Sequence, residues 1–337
     1  MPERTHLRRA AANAAPAVAP EVTPLGPLHR VLFGLLVAGL WLVRKLPDKP
    51  LYRAAFAIGA GLYLLLPERR DRVRRNLERV CAWLVENDMA SPRVARAARE
   101  PKALERMVRA AFGHWVVTYA EAALGPRYSG TELKRRFVPV DPATSAETVA
   151  ARPPGEIGLI HLSMHFGSVD LSALYGSRVG SLPLTGPMEF VGSPLARAYF
   201  ERVRNELDVT IVPVDKAADA LVAALERGEA VGIVGDRNIV GRGSQVELFG
   251  APARLPIGPA MLAVGTGAPL YVQAIERTGP GEWLGHTVRL RPPDGATRRE
   301  ATRSILEQEA RTFERIIARA PEQWTTLFFR IWEEGAA

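Results

Sequence analysis

The chain has 337 residues, which is enough for one large domain with an appendage or for two modest domains. Hydrophobic residues make up 47% and charged residues 24% of it, the balance of a globular protein with a sizeable core. The formal net charge of +8 indicates an anionic partner. Nucleic acid is the weaker choice, because aromatic residues are only 7% and no basic run is interleaved with stacking rings. The basic residues lie beside hydrophobic segments, as an anionic membrane surface would favour.

The single cysteine, Cys81, excludes an internal disulfide and favours a reducing compartment. It lies in an apolar helical pattern, so we expect a buried small side chain rather than a nucleophile. No Cys/His cluster has the spacing of a metal site, and no glycine-rich motif supports a nucleotide cofactor. The sequence also lacks a Gly-x-Ser-x-Gly elbow, which argues against a serine hydrolase. We therefore expect neither a metal nor a bound cofactor.

Residues 1–25 are rich in Ala and Pro and lack hydrophobic periodicity, which predicts a disordered tail rather than a secretory signal. Two apolar blocks follow, at 31–43 and 51–66, separated by a turn at Pro47–Pro50. A helix of about 13 residues is only about 20 Å long against about 30 Å of hydrocarbon, so neither block crosses a bilayer comfortably. We expect residues 26–67 to form a helical hairpin that enters one leaflet or lies on its surface. The alternative is that both helices cover the core of the main domain.

The remaining residues, 68–335, are predicted to form one domain. Helical patterns occupy 68–125, and a connector with a short strand at Phe137–Val140 follows. An apolar run at Ile157–Ile160 predicts a buried strand, and a turn that carries His161 and His165 is predicted to follow it. Strands are then predicted at 182–184, 209–214, 230–234, 269–275 and 287–290, and helices at 194–207, 217–227, 256–266 and 299–318. Repeated β-α units of this kind predict an α/β fold with a mixed, mostly parallel sheet flanked by helices and preceded by the apolar hairpin.

His165 and Asp170 are spaced His-x-x-x-x-Asp where the strand gives way to a helix. If His165 lies in the turn and Asp170 one turn into the helix, the imidazole can fold back onto the carboxylate. Such a pair acts as a general base with the group that orients it, and imidazole suits the task because its ordinary pKa is near neutrality. The alternative is a histidine that caps the helix and an aspartate favoured by the helix dipole. His161 has no third ligand for a metal, so we expect it to close the strand through local hydrogen bonds.

A second group of motifs begins at Gly232-Ile233-Val234-Gly235-Asp236-Arg237-Asn238. It continues through Gly241-Arg242-Gly243, Val246–Gly250, Pro256–Ala260, Gly267–Pro269, Pro321–Trp324 and Trp332. With the His-x-x-x-x-Asp motif before it, this order resembles the lipid A biosynthesis and phosphatidylinositol mannoside acyltransferases over roughly residues 50–332. Asn238 stands where the family often has a second aspartate.

The resemblance implies a membrane-associated O-acyltransferase that moves a fatty acyl chain from acyl-CoA or acyl carrier protein to a hydroxyl of a glycolipid of the phosphatidylinositol mannoside or lipid A type. His165 would take the proton of the acceptor hydroxyl with Asp170 behind it, and backbone N–H groups near Phe166–Ser168 would bind the oxyanion. The residues implied in substrate binding are Glu189, Arg202, Arg204, Asp236, Arg237 and Glu247. Surface ion pairs are an equal alternative for Arg202 and Arg204, and a structural salt bridge for Asp236 with Arg237.

The expected location is the cytoplasmic face of the bacterial plasma membrane, with the protein held peripherally or monotopically. Two other functions stay open at this point. One is a lysophospholipid or glycerolipid acyltransferase, whose acceptor would be a lysolipid. The other is a non-catalytic lipid-binding membrane protein, which the apolar hairpin and the basic balance would equally allow.

Overall fold

The computed structural model describes residues 26–150, 152–153, 155–180, 182–188, 209–214, 217–238, 241 and 243–332. The tail predicted over 1–25 and the helix predicted over 194–207 lie outside these residues. The first helices are α1 (Pro27–Val43), α2 (Asp48–Leu65), α3 (Pro67–Glu86), α4 (Pro92–Arg99) and α5 (Pro101–Leu124). A proline occupies the first turn of α3, α4 and α5, where its missing N–H would have had no helical partner.

Helix α2 packs one face on α5 and exposes the other. The contact is close at Gly59, where a Cβ would lie 2.6 Å from the backbone nitrogen of Gly113. Ile58, Leu64 and Leu65 are 57%, 66% and 75% exposed on the outer side. Among the described residues no single helix is long and apolar enough to cross a bilayer, although α2 and α3, which meet at a bend of 102°, reach that length and composition together.

The second half of the chain forms the α/β domain. Its helices are α6 (Gly130–Arg136), α7 (Pro142–Val149), α8 (Val169–Gly180), α9 (Ala217–Glu226), α10 (Gly258–Thr266) and α11 (Arg298–Ile317). Its strands are β1 (Phe137–Pro139), β2 (Leu159–Gly167), β3 (Leu184–Met188), β4 (Val209–Pro213), β5 (Ala230–Val234), β6 (Gly243–Leu248), β7 (Ala251–Pro256), β8 (Leu270–Gly279) and β9 (Glu282–Leu290).

Seven strands make one sheet in the order β1-β9-β8-β2-β5-β3-β4. The pairs β2–β5, β2–β8, β3–β4, β3–β5 and β1–β9 are parallel, and β8–β9 is antiparallel. The predicted α/β fold with a mixed, mostly parallel sheet is therefore confirmed. Strand β2 lies in the middle of the sheet, and its Leu162, Met164 and Phe166 are fully buried in the main core.

Two of the differences from the prediction bear on the candidate site. Strand β2 runs on to Gly167, so His161 and His165 lie within the strand and not in a turn after it. A hairpin of β6 and β7 occupies part of the segment between the predicted strand at 230–234 and the predicted helix at 256–266, where no regular element was predicted. Its two turn residues, Phe249 and Gly250, have positive φ angles of 50° and 70°. Such a turn matches the twist of the strands, and the Phe249 N–H donates to Glu314 Oε1 at 2.6 Å, which supports an unusual conformation for a bulky residue.

Candidate active site

Strand order brings together two polar residues that lie 71 positions apart. Strands β2 and β5 are parallel neighbours in which Ser163 stands beside Val234. His165 and Asp236 each lie two residues after this position. The His165 Nδ1 lies 2.7 Å from Asp236 Oδ1, and the His165 backbone N–H donates to Asp236 Oδ2 at 3.0 Å. The pair lies at the carboxyl edge of parallel strands, where α/β proteins usually place their chemistry.

Asp236 is fully enclosed and surrounded by donors. Its Oδ2 also accepts hydrogen bonds from Trp324 Nε1 at 2.8 Å and Thr326 Oγ1 at 2.6 Å. Burial favours the neutral acid, but the charge of His165 and the hydrogen bonds from His165, Thr326 and Trp324 outweigh it, so the pKa of Asp236 lies below its ordinary value. The ionised Asp236 can only accept, which requires His165 Nδ1 to carry the proton of the neutral ring.

The other ring nitrogen of His165 is the reactive one. Nε2 has no hydrogen-bond partner among the described residues, and 32% of the His165 side chain is exposed. With the proton held at Nδ1, Nε2 presents a lone pair to whatever enters from outside. This arrangement is that of a general base with an orienting carboxylate.

The acidic partner of His165 thus differs from the one that the local spacing suggested. Asp170 lies in the first turn of α8, and its side chain lines a neighbouring cavity. Because β2 stays extended through His165, the ring reaches sideways to the next strand, while Asp170 lies beyond the corner at Gly167. A direct role for Asp170 in the reaction stays a prediction.

Gly167 makes the corner between β2 and α8. It has a φ of +58°, and a Cβ there would lie 1.5 Å from the carbonyl oxygen of Ile275. The Gly167 carbonyl accepts hydrogen bonds from Arg277 Nη2 at 2.6 Å and from Thr118 Oγ1 at 3.1 Å. Arg277 in turn forms a buried ion pair with Glu121, Nε to Oε2 at 2.6 Å. The corner that follows His165 is therefore fixed by two elements, α5 and β8.

A second carboxyl group lies behind the pair. Glu309 on α11 is fully buried, neither of its oxygens has a hydrogen-bond partner among the described residues, and Oε1 lies close to the backbone of Gly235. Burial, and secondarily the negative charge of Asp236, raises the pKa of Glu309 well above its ordinary value. Glu309 is therefore held as the neutral acid, which leaves Asp236 as the ionised member of the two. The amphipathic pattern of α11 gave no signal for this residue.

A cavity of about 100 Å³ lies between the sheet and α8. Apolar side chains are the larger part of its wall, among them Ala173, Leu184 and Val234, and Asp170 and His161 are two of its six polar members. His161 Nδ1 is hydrogen-bonded to Gln273 Oε1, and burial lowers the pKa of His161 to about 4. His161 is therefore a neutral wall residue. In the part of the chain that the structure describes, no three His, Cys, Asp or Glu side chains converge to hold a metal ion.

The other residues implied in substrate binding are found in different places. Arg237 lies directly after Asp236, and its guanidinium carbon is 3.6 Å from the ring centroid of Phe329. Glu247 pairs with Arg311 on α11 at 3.3 Å, and both line a groove along that helix. Glu189, Arg202 and Arg204 lie outside the described residues. The sequence did not indicate that Trp324 and Thr326 donate hydrogen bonds to Asp236, although Trp324 lies within the Pro321–Trp324 motif.

Comparison with known proteins gives two findings. The profile of the bacterial lipid A biosynthesis acyltransferases matches residues 25–333. Two phosphatidylinositol mannoside acyltransferases of Mycobacterium tuberculosis, from strains CDC 1551 / Oshkosh and ATCC 25618 / H37Rv, are each 24% identical to the chain over 238 residues. These matches cover 69% of this chain and 69% of each relative.

Proposed function

The chain belongs to the bacterial lipid A biosynthesis acyltransferase family, and from that premise we propose that it moves a fatty acyl chain from an acyl-thioester to a hydroxyl of a glycolipid. The proposed acceptor is of the phosphatidylinositol mannoside or lipid A type, in keeping with the names of the two relatives. The proposed donor is acyl-CoA or acyl carrier protein. The observation that carries the proposal is the His165–Asp236 pair, with Nε2 of an exposed ring open to an acceptor.

The reaction follows from the protonation state of the pair. His165 Nε2 takes the proton of the acceptor hydroxyl while the oxygen attacks the thioester carbonyl. Asp236 stabilises the imidazolium that forms. When the tetrahedral intermediate collapses, the new C–O bond stays, the C–S bond breaks, and the imidazolium returns its proton to the departing sulfur. No covalent acyl-enzyme is needed, so buried Cys81, whose thiol pKa burial raises to about 12, has no part in it.

The cavity on β2 and β5, the strands that carry the pair, supports an acyl substrate. Val234 on its wall lies two residues before Asp236, and Asp170 lies five residues after His165. Its wall is mostly apolar, and burial of each methylene group is worth about 0.8 kcal/mol, which is enough for a chain to gain affinity from a few carbons. We place the part of the acyl chain nearest the thioester in this cavity.

We further propose that the protein works at the cytoplasmic face of the bacterial plasma membrane, held peripherally or monotopically. The exposed Leu64 and Leu65 end α2, and Trp41 near the end of α1 is 63% exposed with Lys45 over its ring. Exposed apolar side chains next to cations suit the boundary between acyl chains and anionic headgroups. The net charge of +8 favours the same surface.

The proposal is tested by acyl transfer with purified full-length protein in detergent. Palmitoyl-CoA is supplied with either phosphatidylinositol mannoside or a lysophospholipid as the acceptor, and the product lipid is identified by mass spectrometry. We expect transfer by the natural chain and a loss of at least a thousandfold in His165→Ala. Transfer by His165→Ala at the natural rate contradicts the mechanism. Transfer to lysophospholipid but not to the glycolipid replaces the acceptor with a glycerolipid, and lipid binding without transfer to either acceptor leaves the non-catalytic alternative.

A further inference from the structure

Two arginine side chains contact the ring of Phe329. The guanidinium carbon of Arg237 lies 3.6 Å from the ring centroid, and that of Arg69 lies 5.5 Å from it. Both arginines are half-buried, and within the described part of the chain neither forms an ion pair with a carboxylate. Two cations thus share one aromatic ring, and no carboxylate of the described residues pairs with either of them.

The segment that presents the ring is clamped by α3. Arg69 Nη1 donates to the Phe328 carbonyl at 2.9 Å. Asn76 Nδ2 donates to the carbonyls of Leu327 and Phe329 at 2.8 and 3.1 Å. The backbone of the Phe329 segment and the guanidinium of Arg69 are therefore held together by hydrogen bonds from α3.

This arginine pair lies beside the reacting groups. Arg237 directly follows Asp236, and Phe329 lies three residues after Thr326, which donates to Asp236. Arg69 lies in the first turn of α3, just after the exposed Leu64 and Leu65 that end α2. The pair therefore contacts a segment that also holds Asp236, and Arg69 lies a few residues after the exposed end of α2 that we place against the membrane.

The contact with the Phe329 ring determines which ligand the two arginines can bind. A guanidinium that lies on an aromatic ring uses its flat face for that contact and keeps its N–H edge for a hydrogen-bond acceptor. Two such groups without a carboxylate favour a planar or tetrahedral anion that accepts several charged hydrogen bonds, and phosphate has that geometry.

We propose that Arg69 and Arg237 form a phosphate-binding subsite next to the dyad, which holds the phosphate of a lipid headgroup or of coenzyme A during acyl transfer. The inference rests on the proposed function for its setting, since both proposed substrates can carry phosphate. Its contribution is to hold one substrate so that the hydroxyl and the thioester meet at His165 Nε2.

The test measures binding directly and so does not require turnover. Isothermal titration of the full-length protein uses coenzyme A and glycerophosphoinositol as probes, with pantetheine and myo-inositol as their phosphate-free counterparts. The variants are Arg69→Gln, Arg237→Gln and the double variant. Arg303→Gln is the matched control, because Arg303 is 82% exposed on α11 and pairs with Glu307. Thermal melting checks that every variant is folded.

We expect each single variant to weaken one phosphate-bearing probe by about tenfold or more, because a charged hydrogen bond is lost. The phosphate-free counterparts and Arg303→Gln should show no change. Weaker coenzyme A binding assigns the subsite to the donor, and weaker glycerophosphoinositol binding assigns it to the acceptor headgroup; either supports the proposal. Natural affinity of the folded double variant for both probes overturns it, as does a natural chain that binds neither. If the natural chain binds a probe through the arginines but transfers no acyl group, the proposed function fails and the subsite stands.

Discussion

Asp236→Asn replaces the carboxylate behind His165 with an amide of the same shape. In the natural chain Oδ2 accepts from the His165 backbone N–H, Trp324 and Thr326, while Oδ1 faces Nδ1 of the ring. Three donors converge on the Oδ2 position, so the amide oxygen should occupy it and the NH₂ group should face Nδ1. The NH₂ group then donates to Nδ1, and the proton of the neutral ring moves to Nε2.

An imidazole with its proton on Nε2 cannot take a proton from the acceptor hydroxyl. The variant also lacks the negative charge that stabilises the imidazolium. Together these effects should lower kcat by about 10³–10⁴-fold, as an orienting aspartate does in a comparable triad. At about 1.36 kcal/mol for each factor of ten, this is about 4–5.5 kcal/mol of transition-state stabilisation.

The assay is the initial rate of acyl transfer at saturating substrates, with His165→Ala as the lower limit. Asp170→Asn is the informative comparison, because the sequence spacing assigned the orienting role to Asp170 and the geometry assigns it to Asp236. The exposed Asp294→Asn is the control for loss of one negative charge. A folded Asp236→Asn that keeps a tenth or more of the natural kcat refutes the reasoning. So does a collapse of kcat in Asp170→Asn while Asp236→Asn stays active.

Three other changes test neighbouring features of the structure. Gly167→Ala should lower the free energy of unfolding by about 3 kcal/mol or more, because its Cβ would lie 1.5 Å from the Ile275 carbonyl oxygen. Chemical denaturation measures this loss, and a loss under about 1 kcal/mol would show that the backbone at Gly167 can adjust. Glu309→Gln should remove a pH dependence of stability. Because the pKa of Glu309 is raised, the folded state keeps a proton that the unfolded state releases above pH 4.5, the ordinary pKa. The free energy of unfolding of the natural chain therefore falls by up to about 1.4 kcal/mol per pH unit as the pH rises towards the folded-state pKa. Denaturation at pH 5, 6.5 and 8 should therefore show the variant gaining on the natural chain as the pH rises, and parallel curves across this range would disprove a buried neutral acid. The double variant Leu64→Ser, Leu65→Ser should bind anionic phospholipid vesicles at least tenfold more weakly in a sedimentation assay. Met261, which is 47% exposed on α10, gives the control variant Met261→Ser, which should keep the natural affinity. Equal losses in both variants would show that the membrane-binding surface is not at Leu64 and Leu65.

Much of the fold was predictable because its signals are local. The apolar run Ala230–Val234 became β5 with the bounds that the hydrophobic pattern indicated, and α11 begins one residue before its predicted start. That start is set by a capping box in which Thr297 and Glu300 bond each other's backbone N–H groups. Alternating β-α segments then leave few ways to build the sheet.

The elements that were missed depend on contacts between distant segments. The turn of the β6–β7 hairpin places Phe249, a bulky residue, at positive φ, and what supports it is Glu314 on α11. Sequence pattern in the glycine-rich segment could not indicate this contact. The His165–Asp236 pair also depends on a contact between distant segments. His165 was identified by its position after an apolar run, but Asp236 is its partner only because β5 is the strand beside β2. The spacing of residues along the chain does not give the order of strands in a sheet.

The carboxyl-terminal segment shows why stability and chemistry are difficult to separate in this chain. Trp324 and Thr326 supply two of the four hydrogen bonds that keep Asp236 ionised in a fully buried position. Thr325 Oγ1 also donates to the His165 carbonyl at 3.1 Å, and Asn76 of α3 holds the following residues in place. A buried carboxylate without these donors would favour its neutral form, and a neutral Asp236 could no longer stabilise an imidazolium. The base at the end of β2 therefore depends on a segment about 160 residues downstream.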